Sequence, residues 1–307
     1  MSKGKINRVF TLGEVVFDII FKKWKPVASS PGGSMLNSSI SLARSGLPVS
    51  FTGMCGNDQV GRLIAGFLRE NKVDTSFLHH ENSRSIIALA FLDDNNNATY
   101  SFYSGQNPTE PPSLPSPGQE DVLLFGSFYS ISRPTRDFAL NLRNTACDKG
   151  ALVIYDPNFR DSHLPELAEV KPWIEDNISN AGIVRGSNED FEIIFGTRTA
   201  EETWKLSCFR KCKALIYTRS SDGVDLYCEN FAEHYPVPSI KPLSTIGAGD
   251  SFNAGIIAAM YENNISSKNI NDCRQEHWDI IIKKGMDFAS DVCMSYDNYI
   301  PSPYTSP

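Results

Sequence analysis

Five short apolar runs recur along this chain with helix-like segments between them, and that alternation limits the folds open to it. They cover residues 9–13, 121–125, 151–155, 183–184 and 214–218. Each is rich in Val, Ile, Leu, Phe or Tyr and reads as a buried strand. Strands alternating with helices imply an α/β fold, a doubly wound and mainly parallel sheet flanked by helices. In such folds ligands sit beyond the carboxyl ends of the strands. Asp156, Ser187, Thr218 and Asp250 all follow strand-like runs.

One region departs from the alternation. Residues 86–93 and 98–103 are β-rich and joined by Asp94-Asn95-Asn96-Asn97, the pattern of a hairpin with a polar tip. Residues 16–21 and 25–28 add candidate strands. Together they predict a small inserted β-sheet lid, from about 15–30 and 84–105, within one domain spanning 1–307. The proline-rich stretch 108–118 reads as the linker back to the main sheet. Ile87, Leu89 and Phe91 would give the hairpin an apolar face that needs cover, so a homodimer through the lid is expected.

Composition narrows the partners. Hydrophobic residues make up 41% and charged residues 21% of 307, an ordinary globular balance. A net charge of −7 with no long basic run argues against a nucleic-acid binder. No apolar run approaches the ~20 residues of a membrane span. The first eight residues lack a signal-peptide core. Seven scattered cysteines show no paired pattern; Cys208 and Cys212 have no matching His or Cys pair for zinc. Reduced thiols in a cytoplasmic protein are the expectation.

The most chemical stretch is Ser244-Thr245-Ile246-Gly247-Ala248-Gly249-Asp250. Phe252, Ile256, Ala259 and Met260 follow at i, i+4, i+7 and i+8, so a helix with a buried face begins there. Its free first-turn amides and its dipole favour an anion such as phosphate. Asp250 is then either a helix cap or a base able to take a proton from an attacking hydroxyl. The phosphate-loop pattern Gly-x-x-x-x-Gly-Lys-Ser/Thr is absent.

Near the start, Pro31-Gly32-Gly33-Ser34-Met35-Leu36-Asn37 opens a helix that reaches Ala43-Arg44-Ser45-Gly46. Gly53-Met54-Cys55-Gly56-Asn57-Asp58 and Gly61 follow. With Gly247-Ala248-Gly249-Asp250, these segments resemble, in order and spacing, the signatures of the ribokinase-like (phosphofructokinase-B-type) carbohydrate kinases, over roughly residues 8 to 301.

That resemblance implies an ATP-dependent kinase. Asp250 would be the catalytic base, with the amides of Gly247, Ala248 and Gly249 stabilising the transferring phosphoryl group. Asp18, Gly32, Gly33 and Asn37 would hold the sugar, and Asp18 matches the family acid in Gly13-Glu14-x-x-x-Asp18. Asp58 has an equal claim to a turn role. Asp156-Pro157-Asn158-Phe159-Arg160 is similar to the Asp-x-Asn-x-Arg of fructokinase and 2-keto-3-deoxygluconate kinase branches. Asn158 and Arg160 would touch substrate there, unless the segment is only an Asx-turn. Thr218, Ser220 and Gly223 match the nucleotide loop, with Ser220 in place of its first glycine. Ser187 and Asp190 sit where the family has Asn-x-x-Glu, so Ser187 joins the ATP set with Gly247 and Gly249. Asp190 would then hold magnesium through water, or the two would form a capping box. Ser244 replaces the usual aspartate, and Tyr296-Asp297-Asn298 replaces a common Gly-Ala, which makes potassium activation doubtful.

The expected partners are ATP with Mg2+ and a small sugar phosphorylated on a primary hydroxyl, fructose first. 2-Keto-3-deoxygluconate is the alternative, weakened by Ser104 where that branch places an arginine; ribose or a nucleoside is a further one. The different-class alternative is a non-catalytic sugar- or nucleotide-binding homologue.

Overall fold

The computed structural model describes residues 5–93, 98–103, 113–302 and 304. The expected hairpin tip at Asp94-Asn95-Asn96-Asn97, Ser104 and the first half of the linker lie outside them. In chain order the first elements are β1 (Arg8–Leu12), β2 (Val16–Lys22), β3 (Lys25–Gly32), α1 (Ser34–Arg44), β4 (Val49–Gly56), α2 (Gln59–Glu70) and β5 (Asp74–Glu81). Then come β6 (Ile86–Leu92), β7 (Ala98–Tyr103), β8 (Asp121–Gly126), α3 (Arg136–Asp148), β9 (Leu152–Asp156), α4 (Leu167–Ser179) and β10 (Ile183–Ser187). The last third holds α5 (Asn188–Phe195), α6 (Ala200–Trp204), β11 (Ala214–Thr218), β12 (Val224–Cys228), β13 (Ala232–Tyr235), α7 (Ala248–Glu262) and α8 (Gln275–Cys293).

Nine strands form one sheet in the order β13-β12-β11-β10-β9-β8-β1-β4-β5. The pairs from β11 to β5 are parallel, and β12 and β13 close one edge antiparallel. Alternate residues of each strand feed two cores, as the period of two in a pleated strand requires. Val122, Leu124, Leu152, Ile154 and Ile216 pack with α1, α2, α7 and α8. Leu123, Phe125, Val153, Tyr155 and Leu215 pack with α3, α4 and α5 on the other side. The expected doubly wound arrangement is therefore the one observed.

Every residue of α7 from Ser251 to Met260 is buried, not only the one expected face. This central helix lies against α8 and α1. Gly255 faces the backbone of Lys284 and Gly285 where a Cβ would stand about 2.5 Å from the Lys284 carbonyl oxygen. On the other side Ser41 and Ser251 share a buried hydrogen bond of 3.0 Å.

A separate four-stranded sheet runs β3-β2-β6-β7, at the place expected for the lid. In its register Phe17, Ile19 and Phe21 pair with Ile87, Leu89 and Phe91, and Ile87 pairs on with Tyr103. The opposite face carries Asp18, aligned with Ala88. Asp58 ties this sheet to the main one: it caps α2 through the Gly61 amide and also accepts from the Ser85 amide and hydroxyl, at 2.7–2.8 Å. The turn reading of Asp58 is the one the structure supports.

Candidate active site

The chemical residues gather at the carboxyl ends of the parallel strands. Glu14 lies just beyond β1, Asp156 ends β9, and Ser187 and Thr218 end β10 and β11 as register partners. The first turns of α1 and α7 meet there. Ser34 Oγ donates to Asp250 Oδ1 at 2.6 Å, and Asn37 Nδ2 donates to Oδ2 at 2.9 Å. Ser38 Oγ donates to the Asp250 carbonyl at 2.9 Å. Asp250 does not cap α7, which begins at Gly247; its carboxylate is held from outside the helix by α1.

Burial raises the Asp250 carboxyl above its ordinary value, and the charge of Asp156 adds to this; the Ser34 and Asn37 donors and Arg160 oppose it. Asp18 is pushed up to about 7 by burial, then by the charges of Asp250 and Glu14. Glu14 is also raised by burial, against the pull of Arg160. Three acids therefore crowd one space, and Arg160 is a shared counter-charge for Glu14 and Asp250.

The paired glycines make that crowding sterically possible. A Cβ on Gly32 would land on Asp18 Oδ2, and one on Gly33 would stand 2.5 Å from the Glu14 carbonyl oxygen. Gly33 also has φ +116°, a region that L side chains avoid. Asn37, read from sequence as a sugar contact, turns its amide NH2 to Asp250. Its carbonyl oxygen is buried without a hydrogen-bond partner among the described residues.

The loop before α7 turns at Gly247, φ +79°, against the Asn298 carbonyl. Under the loop lies a group that sequence reasoning missed. A Cβ on Gly249 would stand 2.7 Å from Arg185 Nη1. Arg185 is 9% exposed; it donates to Asp156 Oδ2 at 3.1 Å and to Thr218 Oγ1 at 2.9 Å. Asn253 of α7 donates to the same Asp156 oxygen at 2.6 Å. The signal was present, because Arg185 is the one charged residue in the strand Ile-Val-Arg-Gly-Ser. It shares the phase of Ile183, on the α7 side of the sheet.

The neighbouring loops differ in part from the expectation. Asp156 Oδ1 accepts from the Asn158 amide at 3.1 Å, so the Asx-turn is built. Asn158 has φ +39° and Arg160 is exposed at the site's rim. Ser187 and Asp190 form a full capping box. Asp190 Oδ2 accepts from the Ser187 amide and hydroxyl, and Oδ1 accepts from the Phe159 amide at 2.7 Å. Burial and the nearby Asp156 raise its carboxyl. A carboxylate so occupied clamps two loops together, which is the capping-box alternative of the two readings of Asp190. Ser187 spends its hydroxyl in the same box. Ser220 is exposed at φ +46°, and Gly223 turns the chain back toward β12. Among the described residues no group of three or more His, Cys, Asp or Glu could cage a metal. None of their helices is long and apolar enough to cross a membrane.

Comparison with known proteins gives the family and the fold. The family model for pfkB family carbohydrate kinases matches residues 7–293. Fructokinase-1 of Oryza sativa subsp. japonica is 26% identical over 276 residues, covering 85% of each chain. A fructokinase from Vibrio cholerae O395, solved with fructose, ADP and a calcium ion, superposes with a TM-score of 0.85 at 21% identity. That superposition covers 95% of this chain and 94% of the other. Aminoimidazole riboside kinase from Salmonella enterica, solved with its riboside and an ATP analogue, gives 0.84 at 22% identity over 97% of both chains. With that family match along nearly its whole length and a ribokinase-like fold, this chain belongs to the pfkB family of carbohydrate kinases.

Proposed function

We propose that this kinase transfers the γ-phosphoryl group of ATP to a primary hydroxyl of a neutral sugar, fructose being the first candidate. The observation that carries the reading is the Asp250 carboxylate. It is half-buried, held by Ser34 and Asn37, and set in the first turn of α7 beside the Gly247–Gly249 amides.

The sugar hydroxyl gives its proton to Asp250 as its oxygen attacks the γ-phosphorus, and the bond to the β-phosphate oxygen breaks to release ADP. The first-turn amides of α7 and the Arg185 guanidinium beneath Gly249 supply positive potential for the charge that builds on the phosphoryl oxygens. A carboxyl raised by burial is a better proton acceptor than an exposed one. Asp18 reaches in from the lid as the sugar's acceptor, with Glu14 behind it. Thr218 and Gly223 shape the nucleotide side. Magnesium belongs to this scheme as part of the ATP substrate and needs few protein ligands.

Glu14 supports a neutral sugar over an acid such as 2-keto-3-deoxygluconate. Its carboxyl feels the charge of Arg160, which would otherwise be free to pair with a substrate carboxylate. A riboside is the second reading, because aminoimidazole riboside kinase is similar in both sequence and fold. ATP consumption measured against fructose, ribose, aminoimidazole riboside and 2-keto-3-deoxygluconate tests the proposal. Fructose should give the highest kcat/KM. No turnover with any of the four would reject it in favour of a binding homologue.

A further inference from the structure

A groove of about 1290 Å³ opens at the other end of these strands, around the residues that lead into β11 and out of β12. Lys213 immediately precedes β11, and Thr218 of the nucleotide loop ends it. Five strand residues at ~3.3 Å each separate the two by roughly 16 Å.

The groove concentrates positive charge in a chain of net −7. Lys205, Arg210, Lys211, Lys213 and Arg274 line it, and Glu229 is the sole carboxylate among its lining residues. Lys205 is held by Glu201. Arg210, Lys211, Lys213 and Arg274 make no ion pair among the described residues. These cations come from two segments, the stretch 205–213 that follows α6 and the residue that precedes α8. The first turn of α8 also borders the groove, so the positive end of a 19-residue helix adds to the potential.

The walls are aromatic as well as cationic. Trp204 and Phe231 are partly exposed at the sides, over buried Phe209 and Trp278. Flat apolar walls under convergent cations suit a compact organic anion better than an extended polymer, and the volume exceeds what such a ligand needs.

We propose that this groove is a second binding site, separate from the catalytic one, for an organic phosphate carrying two or more negative charges. Arg210, Lys211 and Lys213 engage the phosphates and the aromatic walls hold the remainder. A nucleotide and a sugar bisphosphate share this chemistry.

Equilibrium dialysis of the full chain against labelled ATP tests the site, with Arg210→Ala/Lys211→Ala/Lys213→Ala as the comparison. The parent should bind two equivalents of ATP per chain. The variant should keep one, its second affinity falling at least tenfold, while its melting temperature matches the parent and so shows an intact fold. Displacement of the second equivalent by fructose 1,6-bisphosphate would identify phosphate as the recognised group. Displacement by ADP alone would identify the base. A parent that saturates at one equivalent, or a second equivalent that survives in the variant, would overturn the proposal.

Discussion

Replacing the Asp250 carboxylate by an amide removes the proton acceptor and little else. The carbonyl oxygen of the new amide can still accept from Asn37, and its NH2 can donate to the Ser34 hydroxyl, which accepts as readily as it donates. Asp250→Asn should therefore leave the melting temperature and the sugar KM close to the parent while kcat falls ~10²–10⁴-fold. Steady-state rates and a thermal melt on one preparation check this; a kcat within about fivefold of the parent would remove Asp250 from the base role. Asp18 yields a prediction about pH. Its carboxyl titrates near 7 in the folded chain, against 3.8 for an unperturbed aspartate. Between those values the folded state holds a proton that the unfolded chain has released, so the stability Asp18 contributes is present below about 4 and lost as pH rises to about 7. Asp18→Asn does not titrate, and its melting temperature should gain on the parent by several degrees between pH 5 and pH 8. The same change should raise the sugar KM about tenfold or more, the worth of one hydrogen bond to a charged group. A melting difference that is equal at both pH values would show that Asp18 ionises normally.

Loop pairs carry a prediction of their own. The chain before α7 runs beside the end of α8: the Leu243 amide donates to the Cys293 carbonyl at 2.8 Å, and Gly247 rests on the Asn298 carbonyl. Ser244 contributes a neutral hydroxyl there, accepting from the Ile246 amide at 3.2 Å, at the position where the signature it resembles has an aspartate. With no charged group at position 244, potassium should change turnover by less than about threefold, ~0.65 kcal/mol. A tenfold rise on adding potassium to sodium-free buffer would contradict this. The elements themselves were unevenly legible. β8, β9 and β11 are uninterrupted apolar runs, and their sequence shows it. β4 is equally buried but reads Val-Ser-Phe-Thr-Gly-Met-Cys-Gly, with polar residues that suggest a loop. β5 reads Asp-Thr-Ser-Phe-Leu-His-His-Glu and shows no period. The Gly-Ala-Gly-Asp loop was legible because it is local. The partners of Asn37 and Arg185 and the Phe159 amide on Asp190 were not, because only the fold brings them near, whereas the Ser187 half of the Asp190 box is local.

Seen whole, the molecule presents an apolar edge at its smaller sheet. Trp24 is 87% exposed, and Val27, Phe102 and Tyr103 are each more than half exposed. Phe21 and Phe91 stack beside Trp24 on the same sheet. Surface of this kind on a β-sheet calls for cover, and a second copy would supply it with closed symmetry. Light scattering at micromolar concentration should give a dimer, and Trp24→Lys should shift it toward monomer; a parent that is monomeric throughout would reject the lid contact without touching the fold. The bond from Ser34 to Asp250 spans 216 residues of chain. At ~5–20 residues per second the ribosome needs roughly 10–45 s to bridge that interval. Until it does, the first turn of α1 has been made but its carboxylate partner has not, and Ser38 and Ser41 lack the helix they will be buried against. A nascent chain therefore passes most of its synthesis with this seam open to water, and any holding factor that protects it must act on the amino-terminal third well before catalysis is possible.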